Sequence, residues 1–168
     1  MSLLFITLLL LVGASLQTLL PGFAALGSIG WPVLPGIVFC IALKCPRAKV
    51  LYAGLLAAVL NDAFCPAPLG LSIPFFLLIS LGIYAVREEV FGDQVITYAV
   101  LGLVAGLLQT IYYSTVFSAA GLRPFGGGLL VSRLFGGLLL GAVTTPLVFM
   151  FLSIFRFKRI RTARWIDR

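Results

Sequence analysis

The chain has 168 residues, of which 61% are hydrophobic and only 10% are charged, and its formal net charge is +7. A soluble domain of this length has too little interior for so many apolar side chains, and a disordered chain needs low hydrophobicity with high charge. Long unbroken apolar runs also exclude an outer-membrane β-barrel, whose strands alternate apolar and polar residues. The composition therefore predicts an all-α integral membrane protein.

Six apolar runs follow one another along the chain, and we interpret each as a transmembrane helix. They are residues 3–20, 31–43, 50–61, 69–86, 95–117 and 129–155. Their connections are too short for an extramembrane domain, which predicts one compact six-span bundle over residues 1–155 and a basic cytoplasmic tail, residues 156–168. No Lys or Arg precedes the first run, so we expect a retained helix rather than a signal peptide. Pro35 and Gly36 predict an irregular or half-buried first turn for the second run.

The distribution of basic residues predicts the orientation of the bundle. The connection after the second span contains Lys44, Arg47 and Lys49, and the tail contains six further basic residues. With six spans and both termini cytoplasmic, ten basic residues lie inside and two outside, as the positive-inside rule requires. The tail has an apolar residue at every third position from Phe157 to Ile166, with basic residues between them. This pattern predicts either a short helix on the inner-leaflet lipids or a simple stop-transfer anchor.

Several kinds of chemistry are disfavoured by composition. Histidine is absent, which removes the commonest general base and the commonest metal ligand. Cys40, Cys45 and Cys65 lack C-x-x-C spacing, and no glycine loop precedes a phosphate-binding Lys. An enzyme would have to work with carboxylates, arginines and tyrosines, and we expect no cofactor, no metal and no nucleic-acid partner. An intramembrane enzyme acting on lipid stays an alternative, although Asp62 has no second acid or base within a motif.

Asp62 is the most informative charge, because it lies at the outer end of the third span. A carboxylate at membrane depth costs roughly 2.5–3.5 kcal/mol, so such residues normally face protein or water and have a partner. Arg133 and Arg123, near the outer ends of the last two spans, are candidate partners for an ion pair. The alternative interpretation is a helix-capping or interfacial position.

Other polar side chains share the outer half of the predicted spans. This set is Gln17, Asp62, Gln109, Tyr112, Tyr113 and Arg133. It is consistent with a polar cavity open to the outside, but ordinary hydrogen bonding between helices is the favoured interpretation.

Small residues recur at a spacing of four in several spans, including Gly102 with Gly106 and Gly137 with Gly141. Such faces allow close approach of helix backbones. They predict either packing inside the bundle or a docking face for a helix of a partner.

One pattern resembles a known family. Gly54 is followed after seven residues by Asp62 and then by Pro68-Leu69-Gly70, which is similar to the rod shape-determining protein MreD family. Members of that family have a glycine-led third hydrophobic segment that ends in an acidic residue, and then an outer turn that ends in Leu-Gly. Gln17 in the first span, Pro146 in the last span, and the length and six-span topology of the whole chain also fit.

The resemblance implies a function in the bacterial cell-elongation machinery. MreD-like proteins are non-enzymatic inner-membrane scaffolds that help to regulate peptidoglycan synthesis and rod shape. The implied partners are a single-span MreC protein and, through it, a RodA-type polymerase and a class B penicillin-binding protein, with the actin-like MreB acting indirectly. The candidate partner-binding or structural residues are Gln17, Asp62, Pro68, Leu69, Gly70, Gln109, Arg133 and Pro146.

The alternative function is that of a substrate-binding subunit of an energy-coupling-factor vitamin transporter, whose fold the MreD family is thought to share. Such a subunit uses an outward-open cavity and an Ala-x-x-x-Ala face on its first span. Residues 4–15 lack that face, which favours the scaffold. The genes next to this one would discriminate between the two functions.

Overall fold

The described part of the chain folds into six α-helices and contains no β-strand. The computed structural model describes residues 2–20, 22, 30–64, 68–87, 95–119, 121 and 127–154, so the basic tail lies outside the described residues. The helices are α1 (Leu3–Leu19), α2 (Val33–Lys44), α3 (Arg47–Phe64), α4 (Ile73–Val86), α5 (Val95–Ala119) and α6 (Gly127–Ile154). The predicted all-α fold is confirmed, and each apolar run corresponds to one helix.

Helix α2 forms the centre of the bundle although it is only 12 residues long. Every residue from Val33 to Ala42 is buried, and the helix contacts α1, α3, α4 and α6. The expected irregular or half-buried first turn is wrong. Pro35 is the third residue of the helix, where the N–H has no partner within the helix, so proline costs no hydrogen bond there. A Cβ on Gly36 would lie 3.5 Å from Thr145 Cα, so the absent side chain lets α2 approach α6 closely.

Helix α3 is longer than its apolar run at both ends. Arg47 and Lys49 lie in its first turn rather than in a connection, and the helix continues beyond Asp62 to Phe64. The carbonyl of Pro46 accepts hydrogen bonds from the N–H groups of Lys49 (3.0 Å) and Val50 (3.2 Å), which starts the helix immediately after α2. The predicted start of α3, at residue 50, was too late because charged residues interrupt an apolar run without interrupting a helix.

Helices α5 and α6 are antiparallel, and their backbones are in contact along a line of glycines. A Cβ on Gly106 would lie 2.8 Å from the carbonyl carbon of Gly137, and a Cβ on Gly141 would lie 3.0 Å from that of Gly102. Real Cβ atoms essentially never approach closer than 3.0 Å, so these positions leave almost no room for a side chain. These small-residue faces are therefore used for packing within the bundle.

Polar side chains are buried in this bundle, while large apolar side chains are exposed. The buried polar residues are Asn61, Asp62, Ser72, Ser80, Ser114, Thr144 and Thr145. Leu4, Ile96 and Phe135 are examples of apolar side chains that are more than half exposed. Among the described helices, α5 and α6 each contain a 24-residue apolar stretch that is long enough to cross a membrane.

The two ends of the bundle differ in character. At one end, which we call the basic end, Lys44, Arg47, Lys49 and Arg87 surround the α2–α3 connection. Arg87 donates a hydrogen bond to the Cys45 carbonyl (3.1 Å), and Lys44 lies over the Phe149 ring (4.8 Å). The hydroxyls of Thr7 and Tyr52 share a hydrogen bond of 2.7 Å near the starts of α1 and α3. The start of α1 and the end of α6 therefore lie at the basic end, opposite residues 68–72, which we call the turn end.

Candidate functional site at the turn end

Asp62 caps the turn that joins α3 to α4. Its Oδ2 atom accepts hydrogen bonds from the backbone N–H groups of Gly70 (2.8 Å) and Ser72 (3.1 Å). The residue is only 2% exposed. Hydrogen bonds to an ionised acceptor are roughly twice as strong as neutral ones, so this carboxylate fixes the backbone of the turn. Asp62 therefore has a capping role. Its two hydrogen-bond partners are backbone N–H groups rather than the guanidinium of Arg133. Arg123 lies outside the described residues.

The turn itself depends on glycine. The N–H of Leu71 donates to the carbonyl of Pro68 (3.3 Å), and Gly70, the third residue of this four-residue turn, has φ of 96°. A positive φ at the third position is the signature of a type II turn and strongly favours glycine. Pro68 is exposed and Leu69 is 77% exposed. The turn therefore exposes apolar side chains at its tip, while hydrogen bonds to Asp62 fix its backbone.

We expect Gly70→Ala to lower the free energy of unfolding by about 1–2 kcal/mol, because a Cβ is strained at this φ. The matched control is Gly30→Ala, since a Cβ on Gly30 meets no atom within 4 Å and its φ is not in the left-handed region. Thermal unfolding of both variants in the same detergent measures the difference. Equal stability of the two variants would contradict the assigned turn geometry.

Asn61 links four parts of the bundle through its side-chain amide. Its Oδ1 accepts a hydrogen bond from Gln17 Nε2 (3.2 Å), and its Nδ2 donates to Ser72 Oγ and to Tyr113 OH (2.9 Å each). Gln17 also accepts a hydrogen bond from the N–H of Leu34 at the start of α2 (3.2 Å). The amide thus connects α1, α3, the turn and α5, and Gln17 extends the network to α2.

Two tyrosines of α5 complete the support of the turn. Tyr112 OH donates to the carbonyl of Leu71 (2.7 Å), while Tyr113 OH shares a short hydrogen bond with Ser72 Oγ. The Phe75 ring stacks on Tyr112 with a centroid distance of 5.5 Å and lies 5.8 Å from the Tyr113 ring. Ring packing against Phe75 therefore fixes the positions of the Tyr112 and Tyr113 hydroxyls.

The structure brings together five of the eight candidate residues, namely Gln17, Asp62, Pro68, Leu69 and Gly70. The other three, Gln109, Arg133 and Pro146, lie elsewhere. Gln109 is one helical turn before Tyr113 on α5, Arg133 is half-buried on α6, and Pro146 is half-buried inside α6. Gln17 and Tyr113 take part in hydrogen bonding between helices. Asp62 and Tyr112 instead hydrogen-bond to the backbone of the turn.

Two buried oxygens of the described residues lack a hydrogen-bond partner, Asp62 Oδ1 and Gln109 Oε1. Both are acceptors, so each is suited to a hydrogen-bond donor. Among the described side chains, no group of three His, Cys, Asp or Glu residues is arranged to hold a metal ion. The hydrogen bonds of Asp62 Oδ2 fix the exposed turn. They leave Asp62 Oδ1 to accept a hydrogen bond from water or from a neighbouring side chain that changes its rotamer.

Sequence reasoning missed Asn61 and Ser72 as members of this site. Asn61 was visible only as a polar neighbour of Asp62 in an apolar helix, which is a weak signal, and no sequence pattern distinguished Ser72. No protein-family model, characterised protein or solved structure matches the chain. A functional assignment therefore depends on these residues and their geometry.

Proposed function

We propose that this protein is a six-span, MreD-like scaffold of the bacterial inner membrane, and that its turn end contacts a single-span MreC-like partner. Through that partner it helps to regulate peptidoglycan synthesis by a RodA-type polymerase and a class B penicillin-binding protein, with MreB acting indirectly. It acts by positioning other proteins rather than by catalysis.

The hydrogen bond between Asp62 and Gly70 is the observation that carries this proposal. The residues of the family pattern, an acid followed eight residues later by glycine, are joined directly in space. Gly54, which opens the pattern, lies where a Cβ would be 3.2 Å from Ser80 Cβ, so it permits the close packing of α3 on α4. The pattern thus has a physical explanation as one α3–turn–α4 unit. A preorganised turn loses little entropy on binding, which suits a protein contact through Leu69.

The distribution of apolar surface supports the membrane-spanning part of the proposal. A protein in water rarely exposes apolar patches as extensive as those on α1, α5 and α6. Helices α2 and α4 have 12 and 14 residues, or about 18 and 21 Å of helix, against about 30 Å of hydrocarbon. Short helices with non-helical ends are tolerated at membrane depth where protein covers them, and α2 is buried among its neighbours.

Cysteine labelling tests the orientation. Six passes place the start of α1 and the end of α6 at the basic end, which the positive-inside rule assigns to the cytoplasm. Cys40 and Cys45 are buried, and burial raises the pKa of the Cys45 thiol, which lowers its reactive thiolate fraction. Labelling of intact cells by an impermeant maleimide should therefore report Cys65, which follows α3 and lies outside the described residues. Labelling only after the inner membrane is permeabilised would contradict the orientation.

Co-purification of the MreC-like partner tests the function. Asp62→Asn keeps an acceptor for the turn but makes its two hydrogen bonds neutral, so we expect a loss of about 1–3 kcal/mol of stability, with a several-fold drop in recovered partner. Gly70→Leu deforms the turn at φ of 96° and should reduce recovery further. The control is Gly82→Leu, because Gly82 is exposed on α4 with open space around it.

Recovery must be normalised to folded protein. Full retention of the partner by both turn variants would remove the turn from the interface. Co-purification with the ATPase of a vitamin transporter, in place of the MreC-like partner, would favour the transporter alternative.

A further inference from the structure

Helices α3 and α4 form a pair whose apolar height is well below the thickness of a membrane. Helix α4 has 14 residues, or about 21 Å of helix, and the chain reverses at residues 68–72 directly before it. At its other end three charged residues follow in the sequence, Arg87, Glu88 and Glu89. On α3, residues 50–64 follow the basic first turn and give about 22 Å of helix. The two helices therefore agree in height, and both are shorter than a hydrocarbon core of about 30 Å.

Contacts at both ends of α4 fix this height. Arg87 donates a hydrogen bond to the Cys45 carbonyl (3.1 Å), and its guanidinium carbon lies 4.0 Å from the centroid of the Tyr84 ring. The charged end of α4 is thus tied to the α2–α3 connection. At the turn end, Asp62 binds the N–H of Gly70 (2.8 Å). A helix pair that is tied at both ends cannot lengthen to match a thicker membrane, and tilting would lower its height further.

Helix α6, by contrast, is long enough for the full hydrocarbon core. Residues 134–153 follow Arg133, contain no charged residue and give about 30 Å of helix. The α3–α4 side and the α6 side of the bundle therefore differ by about 9 Å in apolar height.

The outward faces of the short pair are apolar and exposed. Leu78 on α4 is 70% exposed, and Leu55 and Val59 on α3 are 44% and 48% exposed. Exposed leucine and valine side chains also lie along α1, α5 and α6. Because the same kind of apolar surface surrounds the bundle, the acyl chains that contact α6 also have access to α3 and α4.

We propose that the α3–α4 face is a binding surface for phospholipids with short acyl chains, and that the bilayer is thinned locally there. A bilayer meets a short apolar surface by thinning, because the alternative is to draw the charges at the helix ends into hydrocarbon. When lipids of two chain lengths are present, the shorter one is enriched at this face. This inference rests on the membrane-spanning part of the proposed function and does not involve the MreC-like partner.

Tryptophan quenching by a brominated lipid tests the two faces separately. Leu78→Trp on α4 and Leu139→Trp on α6 are a matched pair, since each leucine is more than half exposed near the middle of its helix. Both variants also carry Trp31→Phe and Trp165→Phe, so that each protein has one tryptophan. The vesicles mix dimyristoleoyl phosphatidylcholine with brominated dioleoyl phosphatidylcholine. We expect the short-chain lipid to be preferred roughly threefold more strongly beside Leu78→Trp than beside Leu139→Trp.

Each other outcome of this experiment overturns the proposal. An equal chain-length preference at the two positions would show that the α3–α4 face does not thin the bilayer. In vesicles of brominated lipid alone, quenching of Leu139→Trp without quenching of Leu78→Trp would show that protein covers α4, while the membrane-spanning bundle would stand. Quenching of neither variant would remove the membrane-spanning part of the proposed function as well.

A second pair of variants repeats the comparison on the other short helix. Val59→Trp on α3 and Val143→Trp on α6 replace valines that are 48% and 49% exposed. The short-chain preference at Val59→Trp should equal that at Leu78→Trp, because α3 and α4 have the same height. Equal preferences at Val59→Trp and Val143→Trp would overturn the proposal, and this comparison does not depend on the folding of the α4 variant.

Discussion

Gly106→Ala is expected to lower the free energy of unfolding by about 3 kcal/mol, although it adds a single methyl group. Its Cβ would lie 2.8 Å from the carbonyl carbon of Gly137 and 3.3 Å from Gly141 Cα. Backbone atoms cannot rotate away, so α5 and α6 must separate along their shared face, and overpacking of this kind typically costs 1–3 kcal/mol or more. Unfolding titrations in mixed micelles would measure the change.

Gly82→Ala is the matched control for this prediction. The substitution is identical and also lies within a helix, but a Cβ on Gly82 meets no atom within 4 Å. Alanine is the better helix former by roughly 0.5–1 kcal/mol, so this variant should be slightly more stable than the parent protein. Changes of the same sign and size at the two positions would contradict the close backbone contact between α5 and α6.

Asn61→Leu is the second substitution with a large expected effect, a loss of about 2–4 kcal/mol. Leucine leaves Gln17 Nε2, Ser72 Oγ and Tyr113 OH without the partner they have in the native protein. Each buried polar group that loses its partner costs about 1–3 kcal/mol, and part of this is recovered by Ser72 and Tyr113 bonding to each other. Equilibrium unfolding with a tyrosine fluorescence readout would measure the loss.

A double-mutant cycle separates the network from a general packing defect. Tyr113→Phe alone should cost about 1 kcal/mol, and its effect in the Asn61→Leu background should be smaller because the shared hydrogen bond is already lost. Tyr52→Phe is the control, since its hydroxyl bonds only Thr7 at the exposed basic end among the described residues. Strict additivity of the Asn61 and Tyr113 substitutions would argue against a direct interaction.

The helical fold was predictable because its signal is local. An unbroken apolar run in a chain with so little charge fits a helix in lipid, and all six runs became helices. The boundaries were less accurate, as the start of α3 at Arg47 illustrates. An apolar run ends at the first charge, whereas a helix ends where its backbone hydrogen bonds end.

The candidate site was only partly predictable because its contacts join distant segments. The pattern of Asp62 and Gly70 pointed to the correct turn, and sequence alone favoured a capping role for Asp62 but left an ion pair with Arg133 or Arg123 as an alternative. The role of Asp62 depends on whether the N–H groups of residues 70 and 72 come within hydrogen-bonding distance of its carboxylate. The backbone conformation of the turn determines this. Asn61 takes part in the site only because α1 and α5 pack close enough for Gln17 and Tyr113 to reach its side-chain amide.

The central position of α2 has a consequence for biogenesis. This helix is made second, but the neighbours that cover it include α3, α4 and α6, which are synthesised later. Until α6 leaves the ribosome and Thr145 reaches Gly36, one side of α2 has no protein partner. In the membrane-spanning bundle proposed above, a nascent chain that stalls before its last helix would therefore leave this short segment partly uncovered in the bilayer.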